Sequence, residues 1–203
     1  MSNTDTQKVK VVVADPGGLG LFGLAMVTLV ASTQKLGWTT GLSFVLPWAI
    51  FLGAYAQLMA ANMDFKHNNI FGATVFGAYS LFWFSIGGCW LINMGVFGEA
   101  LKAGADVHQL GVAFIGYLIF SLAMTVGSLE TNKVLLIDFI FIDLLFLCLA
   151  ADSFGAPHWV HSLAGWAELI ISLISFYGSA ASVLNTHFGK TFLPVGKPCG
   201  IFK

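Results

Sequence analysis

Six long apolar stretches separated by short polar breaks run through this chain of 203 residues. They cover residues 18–34, 42–63, 70–97, 108–129, 134–151 and 160–184. A transmembrane helix needs about 20 consecutive, mostly apolar residues. Because the hydrocarbon core of a bilayer offers no partner for backbone N–H and C=O groups, such stretches cross it as α-helices. The sequence therefore predicts an all-α integral membrane protein, a bundle of six transmembrane helices that forms one domain over residues 1–203.

The charged residues support this prediction by their scarcity and their positions. They make up 9% of the chain, whereas soluble domains have about 25%. Every lysine lies in a break or a terminal segment. The breaks are too short to hold a separate soluble domain, so we expect none.

The lysines also predict the orientation of the bundle. Two of the nine, Lys35 and Lys102, lie on one side of it, and seven lie on the other: Lys8, Lys10, Lys66, Lys133, Lys190, Lys197 and Lys203. Cytoplasmic loops carry the excess of positive residues. We therefore expect a multi-pass protein of a prokaryotic inner (plasma) membrane with both termini in the cytoplasm. The even number of spans agrees with this, and it argues against a seven-helix retinal protein.

Several classes of function are excluded or disfavoured by what the chain lacks. It has no arginine and a net charge of -1, so it offers no basic surface for nucleic acid. Its three cysteines show no disulfide or metal-binding pattern. No nucleophile–base pair, phosphate-binding loop or metal motif appears. We therefore expect no enzyme activity, no cofactor and no metal site.

Polar residues within the apolar stretches are the best indication of function, because they are costly there and usually face a cavity. The sixth stretch carries Glu168, Ser172, Ser175 and Ser179 at offsets of 0, 4, 7 and 11, which places them on one helical face. Small serines also allow helices to pack closely. Close packing and a water-accessible path are both open interpretations of the serines, and Glu168 favours the path.

The fifth stretch contains two acids, Asp138 and Asp143. Five residues separate them by about 140° around a helix, so they do not share a face. Asp138 lies near Lys133, so we expect it at the inner membrane interface. Asp143 and Glu168 lie near mid-depth and are candidate proton-coupling residues, because burial favours the protonated form of a carboxyl group. The spacing leaves open whether these two side chains meet.

Three sets of motifs resemble the succinate-acetate permease, or acetate uptake transporter, family. The first is DPGGLGLFG over residues 15–23, similar to the family's Asn-Pro-Ala-Pro-Leu-Gly-Leu signature. The second is GAYAQ at 53–57 with NIFGATVFGAYSLFW at 69–83. The third is AGW at 164–166, Tyr177, VLN at 183–185 and FGKTFLPVG at 188–196. They follow the family's order along nearly the whole chain.

The resemblance implies a six-span protein with a pore in each protomer, a homohexameric assembly, and transport of acetate and succinate by proton symport or channel-like flow. The family's pore-narrowing residues match Leu24, Tyr79 and Ile142, with Ser175 near them. Leu24 stands where the family usually has phenylalanine, which predicts a wider gate. Asp143 and Glu168 stand where the family has uncharged residues.

The working hypothesis is therefore permeation of a small carboxylate anion, with acetate as the first candidate and succinate as a further one. Backbone N–H groups at the start of the first helix and side-chain hydroxyls would offer donors to the anion. The candidate lining residues are Gly17, Gly18, Leu19, Gly20, Gln57, Thr74, Ser172, Ser175 and Ser179. The main alternative is a channel for a small neutral solute such as urea or a short amide, which acidic residues beside the path would suit better. The third hypothesis is a membrane protein with a structural role and no transport activity.

Overall fold

The computed structural model describes residues 13–202, and this part of the chain is helical, without strands. Six helices are long and apolar enough to span a membrane: Gly17–Lys35, Val45–Lys66, Ile70–Asn93, Val107–Ser128, Lys133–Ser153 and His158–Phe188. They are called the first to sixth spans below. A short helix, Glu99–Ala103, connects the third and fourth spans. The six predicted spans are confirmed, each with ends within four residues of those expected.

The spans begin and end where the sequence supplies capping groups. Asn69, Asp106 and Asn132 precede the third, fourth and fifth spans, and each side chain accepts a backbone N–H of the first turn. Such caps satisfy donors that the helix itself leaves unpaired. The sixth span follows Pro157 and ends at Gly189, which has a left-handed backbone with φ of 63°. These flanking residues mark the ends of the spans more precisely than hydropathy does.

The second span contains a π-helical segment, Ala49–Ala56, between two α-helical parts. Segments of this kind are rare and frequently lie at functional sites. Here the segment brings its backbone against the first span, where a Cβ added to Gly23 would collide with the carbonyl oxygen of Leu52. The α-helix resumes at Gln57, whose side chain points into the bundle and is buried.

The spans form a ring in chain order. The first packs most extensively against the sixth and also contacts the second. The fifth packs between the fourth and sixth, and the third and fourth close the ring through a smaller contact. The fourth span is the most peripheral and exposes an apolar face that includes Val112, Ile115, Ile119 and Leu122. The ring leaves its centre available for a path along the bundle.

The close contact at Gly23 yields a test of this packing. We expect Gly23→Ala to lower the free energy of unfolding by about 1–3 kcal/mol, because the new methyl group must displace backbone and not a flexible side chain. Gly116→Ala is the matched control, since a Cβ at Gly116 in the fourth span meets nothing within 4 Å. Equilibrium unfolding in mixed micelles of mild detergent and sodium dodecyl sulfate measures both. Equal stability of the two variants would contradict the packing described here.

Candidate functional site

A cavity of about 790 Å³ opens at the end of the ring where the described part of the chain begins and ends. All six spans contribute to its wall, and Asp15 and Phe202 both line it. The two described ends therefore lie at the same end of the bundle. A pocket of this size is in the range that holds small-molecule ligands.

A second, much smaller void of about 20 Å³ adjoins this cavity and is lined mainly by apolar side chains. The boundary between the two voids is called the neck below. Three residues line both: Leu24, Tyr79 and Ile142. They come from the first, third and fifth spans, and all three are buried. These are the same residues that the family resemblance assigns to the constriction, and the structure places them together between the two voids.

Aromatic side chains hold Tyr79 in place. Its ring stacks on Phe146 with a centroid separation of 6.2 Å and makes a tilted contact with Phe139. Its hydroxyl donates a hydrogen bond of 3.0 Å to Ser121 on the fourth span. The ring, with its polar tip already bonded, therefore presents an apolar surface to the neck.

Two buried polar side chains line the cavity. Asp138 is one helical turn before Ile142 and is 2% exposed, and Gln57 is fully buried. Asp138 Oδ2 accepts a hydrogen bond of 2.8 Å from Ser175 Oγ, and Gln57 Nε2 donates one of 2.7 Å to the Gly53 carbonyl. Asp138 Oδ1 and Gln57 Oε1 are buried and have no hydrogen-bond partner among residues 13–202.

Asp138 is buried between the fifth and sixth spans, which its place near Lys133 in the sequence did not predict. The sixth span packs over the fifth at this point and covers the carboxyl group, as the bond to Ser175 shows. The offset of four residues from Ile142 is the sequence signal that would have found it, because it places both side chains on one helical face.

The two acids proposed for proton coupling do not share a site. Asp143 Oδ2 accepts a hydrogen bond of 2.6 Å from Thr125 on the fourth span. Glu168 forms an ion pair of 2.8 Å with Lys35, at the end of the first span that is remote from the cavity. Neither acid lines the cavity.

The start of the first span contributes less to the cavity than the sequence suggested. Gly17 lines it, but the Asp15 carboxylate accepts the Gly17 N–H at 2.8 Å. Gly18 and Gly20 are buried against neighbouring helices, and Leu19 is 43% exposed on the outside. An entering carboxylate would meet a helix start at which another carboxylate already accepts a hydrogen bond.

The serines of the sixth span mostly contact other helices. Ser172 and Ser179 donate hydrogen bonds of 2.9 and 2.7 Å to carbonyl groups of the first span, which favours the close-packing interpretation for both. Ser175 donates a hydrogen bond to Asp138, which itself lines the cavity. Thr74 is exposed on the outer face of the third span. None of these four residues lines the cavity.

The mouth of the cavity contains groups that the sequence analysis did not select. The segment after the sixth span folds back over it, because Asn185 accepts the N–H groups of Phe192 and Leu193. Further along, the Glu130 carboxylate accepts the N–H groups of Ile201 and Phe202. Asn185 belongs to a motif noted for its family resemblance, but its contacts with a later segment are not readable from spacing.

The lining of the cavity is acidic. Four carboxyl groups take part, those of Asp15, Asp64, Glu130 and Asp138, and no lysine or histidine lines it among residues 13–202.

Comparison with known proteins gives consistent results. A profile of the GPR1/FUN34/yaaH family matches residues 2–196. The succinate-acetate/proton symporter SatP of Escherichia coli (strain K12) is 32% identical over 184 residues, which are 91% of this chain and 96% of that protein. Acetate permease A of Emericella nidulans is 26% identical over 90% of this chain and 65% of its own length. The solved structure of the bacterial acetate channel SatP superposes with a TM-score of 0.85 at 31% identity, covering 91% of this chain and all (100%) of that one.

The ion pair between Lys35 and Glu168 is open to a stability test. Lys35→Met should lower the free energy of unfolding by about 3 kcal/mol, because it leaves a buried carboxylate without its partner. Adding Glu168→Gln should recover most of that loss, since the remaining amide needs no counter-charge. Equilibrium unfolding in mixed micelles measures the single and double variants. If the double variant is no more stable than Lys35→Met alone, the pair makes no such contribution.

Proposed function

The chain belongs to the GPR1/FUN34/yaaH family, and we propose that its cavity and neck form the route by which a small monocarboxylate crosses the membrane. The protein is a membrane transporter of small monocarboxylates, with acetate the leading substrate, and it is not an enzyme. None of the relatives described above is named for urea or an amide. What we propose is the route, the residues along it, and the orientation and assembly of the protein.

The observation that carries this proposal is the position of Leu24, Tyr79 and Ile142 between the two voids. A substrate entering the large cavity reaches the neck, where apolar side chains replace its water. Because hydrocarbon groups hold a carboxylate weakly, the neck selects by size and does not trap its substrate. Weak binding of this kind suits conduction, in which the substrate must leave as readily as it enters.

Beyond the neck, the route continues along one face of the first span. Leu24, Thr28 and Lys35 are at offsets of 0, 4 and 11, so they lie above one another on that helix. Thr28 lines the smaller void. We therefore propose that the exit passes beside the ion pair of Lys35 and Glu168, where Lys35 is the nearest cation for a departing carboxylate.

We also propose that the protein lies in a prokaryotic inner membrane with both termini in the cytoplasm, so that the large cavity faces the cytoplasm. The bias of the lysines supports this orientation. A homohexamer is proposed from the family resemblance. Each protomer has its own cavity and neck, so assembly would provide several parallel routes and not one shared route.

A test of the route changes the width of the neck. We expect Ile142→Trp to reduce acetate uptake into proteoliposomes at least about tenfold, because the indole fills a neck whose existing contacts are already close-packed. Ile142→Ala should instead raise the uptake of longer monocarboxylates relative to the wild-type protein, because it widens the neck.

The matched control is Ile140→Trp, because Ile140 is on the same span and is 51% exposed on the outer face. It should keep uptake near the wild-type rate. Uptake of labelled acetate, corrected for protein-free liposomes, measures all three variants. Loss of uptake in Ile140→Trp equal to that in Ile142→Trp would mean that the neck is not the route.

A further inference from the structure

The ion pair between Lys35 and Glu168 lies beyond the smaller void, toward the end of the bundle that is remote from the cavity. Thr28 of the first span and Ile171 of the sixth both line that void. Lys35 follows Thr28 by seven residues, and Glu168 precedes Ile171 by three. Each charged residue is therefore within about 60° of the helical face that lines the void. The two helices lead from one void to one pair of charges.

The pair is largely buried, and Lys35 is its more accessible member. Lys35 Nζ lies 2.8 Å from Glu168 Oε2, and the two side chains are 13% and 2% exposed. An ammonium group has three N–H donors, and within residues 13–202 this one forms a single hydrogen bond, to Glu168. Lys35 therefore has donors left for a second carboxylate, whereas an ionised Glu168 offers only acceptors.

The other charged groups near this end have partners of their own. His161 Nδ1 lies 2.8 Å from Asp152 Oδ2. Lys102 lies 3.8 Å from Glu99 on the exposed connection between the third and fourth spans. Of the lysines in residues 13–202, Lys35 alone is not fully exposed. It is therefore the cation that a carboxylate leaving the smaller void would meet inside the bundle.

A lysine at this position without a partner would retain an anion. The attraction between an ammonium group and a carboxylate is several times stronger in a partly dry site than in water. Conduction, however, requires binding that is weak enough for the ligand to leave. Glu168 meets this requirement, because it already occupies one donor of Lys35 and its charge repels a second carboxylate.

We propose that Lys35 is the carboxylate-binding residue at the exit of the route, and that Glu168 is a resident competitor that keeps this binding weak. The substrate carboxylate accepts a free N–H of Lys35 while Glu168 retains another. The two carboxylates repel each other, and the one that is not attached to the chain leaves. Lys35 is then paired with Glu168 alone, as before. No covalent bond forms or breaks in this exchange.

This inference rests on the proposed function and deepens it. It gives Glu168 a role in the release of the substrate, which differs from the proton coupling that the sequence suggested. It also separates two kinds of selection along the route. The neck selects by size, and the exit selects for a negative charge.

The experiment measures initial rates of labelled acetate uptake into proteoliposomes over a range of acetate concentrations, so that KM and Vmax are obtained separately. Protein-free liposomes correct for direct passage through the lipid. We expect Glu168→Gln to lower KM about tenfold, the effect of one hydrogen bond to a charged group. Vmax should fall by a similar factor, because the anion leaves Lys35 more slowly. Glu168→Asp, which keeps the carboxylate, should lie closer to the wild type in both constants.

Removing both charges should have the opposite effect on KM. When Lys35→Met is combined with Glu168→Gln, no cation remains at the exit, so KM should rise at least about tenfold without a fall in Vmax. This double variant leaves no unpaired charge, so it decides the question even if Glu168→Gln alone does not fold.

The matched control is Glu99→Gln. It removes the same charge from the same end of the bundle, where the Glu99 side chain is 83% exposed beside Lys102. It should leave KM and Vmax at their wild-type values. Changes in Glu99→Gln equal to those in Glu168→Gln would assign the effect to surface charge and overturn the inference.

The remaining failures are distinguishable. No acetate uptake by the wild-type protein above protein-free liposomes would refute the proposed function itself. An unchanged KM in the double variant, in a protein whose uptake Ile142→Trp blocks, would leave that function standing and overturn this inference. A fall in Vmax with an unchanged KM in Glu168→Gln would mean that the ion pair only supports the fold, and would also overturn it.

Discussion

The structure depends on polar groups finding partners where water is absent. In the sixth span, hydroxyl groups that could have lined a pore instead bind main-chain carbonyls of the first span, at Ser172 and Ser179. Apolar side chains gain little by leaving lipid for a helix interface, so they do not by themselves drive these two helices together. The hydrogen bonds supply a specific contact between them. They hold the first span against the sixth, and hence keep Leu24 in its position at the neck. The pore depends on this packing as much as on the residues that line it.

The sequence predicts the six spans well because length and hydropathy decide them, whatever their neighbours. The neck is predicted less directly. It depends on the family resemblance, which matches Leu24, Tyr79 and Ile142 to the residues that narrow the pore. The pairing of Lys35 with Glu168 joins residues 133 positions apart, and no local pattern encodes it. The burial of Asp138 was not predicted for a similar reason, because it comes from the sixth span and not from its own segment.

The π-helical segment Ala49–Ala56 has a consequence for how this site could have arisen. A wide turn accommodates one more residue than an α-turn does, so it acts as an insertion absorbed within the helix. Removing one residue there would rotate everything after it by about 100° relative to everything before it. Gln57, the first residue beyond the segment, would then leave the cavity. A one-residue length change in the second span is thus enough to place Gln57 on the cavity wall or to remove it, with no change in the identity of any lining side chain.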